Sequence, residues 1–206
     1  MMSRFDGGAF PREKTPRILL VFFGDCDPVI EEVLTRALTQ FIGSILGELR
    51  EVPDFFCRYE PVPKFIPRYT QHRVFFSALR KITGNIVIGV TDTEFYNPVL
   101  SRHVSCYGQV DGRGMLSTYP FRKETHNPRL FRERLNKQVL RVFAMACTVE
   151  SCLDSECIIS DHRRVEDLDR TRYVCQPCRE DFVRNLTFFL SVPGSCPGTL
   201  LLPECE

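Results

Sequence analysis

The 206-residue chain has no tryptophan, only four histidines, and no apolar run near the ~20 residues that a bilayer-spanning helix needs. Met1 to Pro16 is polar and broken by Gly and Pro, without the apolar stretch of a secretory signal. Charge of either sign is also missing in excess: 27 Lys and Arg against 26 Asp and Glu leave a net charge of +1. No global field therefore draws the chain to nucleic acid or to an anionic membrane. The histidines are His72, His103, His126 and His162, and no two lie within one helical turn of each other. A metal helix built on paired histidines is thereby excluded. These absences predict an intracellular protein without a membrane partner. The cytoplasm is the expected compartment, with an organelle left open.

Cysteine, by contrast, is abundant. In a reducing compartment ten cysteines are expected as metal ligands or small core residues rather than as disulfides. Four of them form the pattern Cys152-x4-Cys157-x17-Cys175-x2-Cys178. Four thiolates in two short-spaced pairs saturate a tetrahedral Zn²⁺ and leave no position for water, so such a site stabilises rather than catalyses. One structural Zn²⁺ on Cys152, Cys157, Cys175 and Cys178 is the expectation. The competing reading is a redox Cys-x-x-Cys, which needs a strand leading into it. Asp154 to Tyr173 is polar and charged, and offers none. Cys26, Cys57, Cys106 and Cys147 sit in apolar surroundings and are expected as small core residues. Cys196 and Cys205 lie in a Pro-containing tail and are assigned nothing.

Periodicity predicts an α/β fold. Arg17 to Phe23 is a continuous apolar run suited to a buried strand, and Asp27-Pro28 opens a helix with Val29, Ile30, Val33, Leu34, Ala37, Leu38 and Phe41 on its inner side. A second strand is expected within Gly47 to Cys57, and a loop over Glu60 to Tyr69. Gln71 to Ile82 is predicted helical and Asn85 to Val90 a buried strand. Ser105 to Val110 and Gly114 to Thr118 flank Asp111-Gly112, a hairpin turn pair. Leu130 to Glu150 is the longest predicted helix and Pro177 to Leu190 the last. The expected organisation is a tail over residues 1–16, one domain over 17–190 with its zinc part at about 152–178, and a tail over 191–206.

Counted back from the first cysteine of the cluster, Arg141-Val-Phe-Ala-Met145-Ala-Cys-Thr148-Val-Glu-Ser151-Cys152 has the length of His-Glu-x-x-His-x-x-Gly-x-x-His-Cys. That is the extended metzincin zinc motif followed by a cysteine. The chain resembles the archaemetzincins, a metallopeptidase family whose motif continues Cys-x4-Cys-x-Met and ends in a downstream Cys-x-x-Cys. Cys157-Ile-Ile159 and Cys175-Gln-Pro-Cys178 stand in those places. Gly89-Val-Thr-Asp92, Tyr107-Gly-Gln-Val and Arg17 to Gly24 resemble further segments of the family, so the likeness runs over about Arg17 to Arg179. It implies a metzincin-like small mixed sheet backed by helices, with a zinc-stapled C-terminal part.

The departures decide the functional expectation. The three histidine ligands of the family's motif would fall on Arg141, Met145 and Ser151, its general base on Val142, its helix-ending glycine on Thr148 and its Met-turn methionine on Ile159. A guanidinium has no lone pair to give, a thioether suits Cu(I) better than Zn²⁺, and valine accepts no proton. Shifting the register to Cys147 places Asn136, Lys137, Leu140 and Ala146 at those positions, which is no better. The expected function is a catalytically inactive, zinc-binding archaemetzincin-like protein with a peptide- or protein-binding or scaffold role. No catalytic residue is assigned. The alternatives are an active metallopeptidase with unusual ligands and a structural subunit of a larger, ribonucleoprotein assembly. For the latter, Arg129, Arg132, Arg134, Lys137 and Arg141 stud the long helix, and His162, Arg163, Arg164, Arg170 and Arg172 lie in the zinc loop. A solvated helix face balanced by Glu133, Glu150, Glu166 and Asp167 is the plainer reading, so nucleic acid is not expected as a partner.

Overall fold

The computed structural model describes residues 18–45, 55–63, 71–97, 102–103, 105–109 and 111–191. The expected tails lie outside the described residues, Ser191 excepted. Ile18–Phe23 forms β1, and all six of its residues are buried. Ile18, Leu20 and Phe22 point into one apolar cluster, while Leu19, Val21 and Phe23 point into another. A strand covered on both faces must be apolar throughout, which is why the sequence shows a run and not an alternation.

Helix α1 (Pro28–Ile45) follows, its first turn capped by the Asp27 carboxylate, which accepts from the Val29 N–H at 2.9 Å. Strand β2 is Phe55–Glu60, several residues later than the expected Gly47 to Cys57. It begins beyond Pro53, whose missing N–H breaks a sheet ladder, and it takes in Glu60 from the expected loop. The remainder of both expectations, 47–54 and 64–69, lies outside the described residues. Helix α2 (Gln71–Arg80) and β3 (Ile86–Thr91) fall where periodicity placed them. Two short strands, β4 (Tyr96–Asn97) and β5 (Arg102–His103), pair antiparallel with each other. The Asp111-Gly112 turn joins β6 (Cys106–Gln109) to β7 (Arg113–Ser117), with Gly112 at φ +78° as such a turn requires.

The main sheet has the order β2-β1-β3-β7-β6. Four strands are parallel and β6 is an antiparallel edge, so the mixed sheet is as expected. Phe75, Phe76 and Leu79 of α2, with Ile82 just beyond its end, cover one face with Val87, Phe95 and Met115. The other face carries α1, α4 (Pro128–Ala146) and α5 (Gln176–Ser191), where Phe182 of α5 packs on Phe41 of α1 and Phe143 of α4 at 4.9 and 5.7 Å between ring centroids. A short helix α3 (Tyr119–Glu124) and a 3₁₀ segment, Val165–Arg170, were not foreseen. Both are too short for a periodic signal.

Helix α4 starts two residues before the expected Leu130 and stops four before Glu150. Asn127 is its N-cap, accepting from Arg129 and Leu130 N–H at 2.9 and 3.3 Å, with Pro128 in the first turn. Its end is a Schellman closure: Val149 N–H reaches Ala144 O at 2.9 Å and Thr148 N–H reaches Met145 O at 3.1 Å. The left-handed residue of that closure is Thr148, at φ +58°. A β-branched side chain is strained there.

Helix α4 also lies very close to the hairpin. A Cβ on Gly108 would stand 2.3 Å from Met145 Cβ, and one on Gly114 would stand 2.7 Å from Val142 Cγ1. Replacing Gly108 with Ala should therefore cost about 1–3 kcal/mol of stability through overpacking. By contrast, Gly43→Ala, in α1 with nothing within 4 Å, should add about 0.5–1 kcal/mol. Chemical denaturation of the two variants checks the pair; equal effects would refute the close approach. Thr148→Gly should raise stability by about 0.5–1 kcal/mol by relieving the left-handed threonine, read in the same denaturation curves.

A four-cysteine cluster beneath the long helix

Past Thr148 the chain leaves α4 and runs directly into the cysteine segment. Cys152 follows the helix end, Cys157 sits in a tight loop, Cys175 immediately precedes α5 and Cys178 lies in its first turn. The loop is made by its own polar groups. Asp154 accepts from Glu156 N–H at 2.9 Å and from Tyr173 OH at 2.8 Å, and Ile158 N–H reaches Tyr173 O at 2.8 Å. Cys152 pairs with Ser160 and Cys157 with Tyr173 as isolated bridges, so two crossings of backbone hold the knuckle shut.

All four Sγ atoms lie within 4.8 Å of one another. Cys152 and Cys175 are 3.5 Å apart, and Cys157 and Cys178 are 3.9 Å apart. A tetrahedron with Zn–S bonds of about 2.3 Å has sulfur–sulfur edges of about 3.8 Å. The donor set and its spacing thus fit a structural zinc. Cys175 N–H also points at Cys157 Sγ, at 3.4 Å, the kind of donor that a metal-bound thiolate accepts. Burial pushes the Cys157 and Cys178 thiols up. For Cys175 burial acts upward too, but the backbone and thiol donors around it, Cys178 first, bring its pKa down. Among the described residues this is the one cluster of three or more His, Cys, Asp or Glu ligand atoms that could hold an ion.

The remaining cysteines divide. Cys57, Cys106 and Cys147 are buried core residues, as expected. Cys26 is only half-buried, in the loop after β1, and the loss of hydration raises its pKa to about 12.

The residues that the sequence reading sets against the family's metal-binding motif are engaged elsewhere in the fold. Arg141 is buried and donates to Asp161 Oδ1 at 2.6 Å. Val142 is fully buried against Gly114. Met145 places its Sδ 3.9 Å from Cys106 Sγ on the edge strand. Ser151 is exposed just before the cluster, and Ile159 is buried beneath it. His162 is half-buried with Nε2 3.2 Å from Ile158 O, and burial together with the Arg141 charge lowers its pKa.

The basic residues of α4 are mostly not a free face. Arg134, 4% exposed, makes two bonds to the Asp169 carboxylate at 2.8 and 2.7 Å and one to Thr125 at 2.7 Å. Lys137 donates to Leu168 O at 2.9 Å. With Arg141–Asp161, these cations strap the long helix to the 3₁₀ segment and the cysteine loop. Sequence reasoning missed this because Asp161, Leu168 and Asp169 are twenty or more residues from their partners. Asp92 anchors its loop, accepting from Thr118 Oγ1 at 2.9 Å and pairing with Arg122 at 3.4 Å.

No family model matches the chain. An archaemetzincin from Aeropyrum pernix is 30% identical to it over 114 residues, a match that takes in 54% of this chain and 60% of the relative. The chain thus matches less than two thirds of that relative's length. Among solved structures, the archaemetzincin from Methanopyrus kandleri superposes with a TM-score of 0.66 at 22% identity, covering 87% of this chain and 99% of that one. The archaemetzincin from Archaeoglobus fulgidus, complexed with malonate, gives 0.57 at 17% identity over 80% and 99% of the two chains. A zinc-dependent peptidase from Methanocorpusculum labreanum gives 0.55 at 17% over 79% and 98%.

Truncating Asp169 to Ala strands a buried guanidinium and should cost about 2–3 kcal/mol. The hydrogen bonds and charge of Arg134 hold the Asp169 carboxyl below its ordinary range. Its folded pKa being depressed, the contribution is complete above about pH 5 and fades as pH falls below about 4. Denaturation of wild type and variant at pH 7 and pH 3 should give a gap that narrows with acid; a gap that widens would exclude the ion pair as its source.

Proposed function

From a chain that is archaemetzincin-like in sequence and fold, we propose a zinc-stabilised protein that does not hydrolyse peptides and that acts by binding a protein or peptide partner. The observation that carries this reading is the occupation of the motif positions on α4. A metalloprotease needs a metal with an open coordination position and a base beside its water. Arg141 instead spends its guanidinium on Asp161, Val142 is packed into the core, and Met145 lies against Cys106. The four-cysteine cluster offers only sulfur donors and no vacancy, so the zinc it would hold stabilises the junction of α4 and α5. Deprotonation, metal binding and folding of that junction are linked.

The solved relatives include a protein described as a zinc-dependent peptidase, which supports a second reading: a working peptidase with ligands drawn from elsewhere. The two differ in metal content. Zinc per chain, measured by elemental analysis after exhaustive dialysis, should be about one in the wild type and near zero in Cys157→Ser, with a large loss of thermal stability in the variant. Casein and unstructured peptides should remain uncut with zinc in excess. Two zincs per chain together with cleavage would overturn the proposal in favour of the peptidase.

A further inference from the structure

The four cysteines are unequal in a way that their shared chemistry does not require. Cys157 and Cys178 are 0% and 5% exposed, and Ile158, Ile159 and Ser160 beside them are buried. Cys152 and Cys175 are only half-buried. Their chain neighbours Ser151, Leu153, Gln176 and Pro177 are exposed, Leu153 at 103%. The half-buried pair is also the closer one, 3.5 Å between sulfurs against 3.9 Å for the buried pair. A disulfide of about 2.05 Å asks those two sulfurs to approach by about 1.5 Å, within a loop whose Leu153 side has open space around it. An oxidant diffusing in from solvent meets Cys152 and Cys175 first.

We infer that Cys152 and Cys175 form a peroxide-sensitive thiol pair whose oxidation to a disulfide expels the zinc. This rests on the reading of the cluster as a zinc site and adds its regulation. One thiolate attacks the peroxide O–O bond, becoming a sulfenic acid and releasing hydroxide. The second thiolate then attacks that sulfur, the S–S bond forms as the S–O bond breaks, and a second hydroxide leaves. Two thiolates have lost two electrons and one hydrogen peroxide has become, after taking up two protons, two waters. Two of four donors are then withdrawn, and the inner Cys157 and Cys178 cannot satisfy a tetrahedral ion alone. The strap between the end of α4 and the start of α5 survives as a covalent bond, while the core around Ile158 and Ile159 loses its anchor.

The test uses the full-length, zinc-loaded chain, whose metal content is measured first. Hydrogen peroxide is then added beside a chromogenic zinc chelator, and non-reduced peptides are mapped by mass spectrometry. One equivalent of zinc should be released, a Cys152–Cys175 disulfide should appear, and dithiothreitol with added zinc should restore the starting state. The variant C26S/C196S/C205S, which keeps the cluster, should respond like wild type. Zinc retained under peroxide, or a disulfide mapped to Cys157–Cys178 or to thiols outside the cluster, overturns the inference while leaving the zinc site standing. A chain without zinc before peroxide overturns both.

Discussion

The seating of α4 against the β6–β7 hairpin is the contact on which the rest of the molecule depends. The helix backbone runs so near the hairpin that Gly108 and Gly114 meet Met145 and Val142 where any Cβ would collide. Interiors are packed as densely as organic crystals, so a helix held at that distance has little freedom to rotate or slide. Its position then dictates which residues face the edge strand, where the helix must end, and where the cysteine loop begins. The Schellman closure at Thr148 follows from this geometry, because the chain has to turn back at once to deliver Cys152 to its partners. A threonine in a left-handed conformation is tolerated there because its neighbours over-determine it: Asn185 of α5 donates to both Cys147 O and Thr148 Oγ1, at 2.9 and 3.3 Å.

The opposite side of α4 is governed by charge. Arg134, Lys137 and Arg141 lie one turn apart and each reaches a group on the segment between Asp161 and Asp169. A buried guanidinium with two or three well-aligned acceptors is costly to strand and tolerable when satisfied, so these contacts specify the docking of that segment more than they stabilise it. The cysteine cluster sits between that strapped segment and α5. The packing of Phe182 against Phe41 and Phe143 holds α5 at the same junction.

Much of the fold was legible in the linear pattern, for local reasons. β1 and β3 are covered on both faces and so appear as unbroken apolar runs, and the Asp27-Pro28 and Asp111-Gly112 pairs carry their own backbone chemistry. The second strand overlaps its expected span only at Phe55–Cys57 and runs on to Glu60, because the alternation there is weak and Pro53, which cannot donate to a ladder, blurs where a strand would start. The end of α4 was placed too late because Thr148 gives no glycine signal for a helix stop. The cysteine cluster was legible because metal ligation imposes spacing on sequence. The roles of Arg134, Lys137 and Arg141 were not, since a basic residue on a helix looks the same whether it faces water or a carboxylate supplied from far along the chain.

By itself, then, the order of residues determined the α/β class, the mixed sheet and the spacing of the four thiols. Those properties depend on period, spacing and functional groups, all of which are local. The tertiary structure decided that three cations of α4 are straps, that Met145 faces Cys106, and that two of the four cysteines are buried and two half-buried. Each of these depends on which distant segment packs against a given face, and no local pattern encodes that.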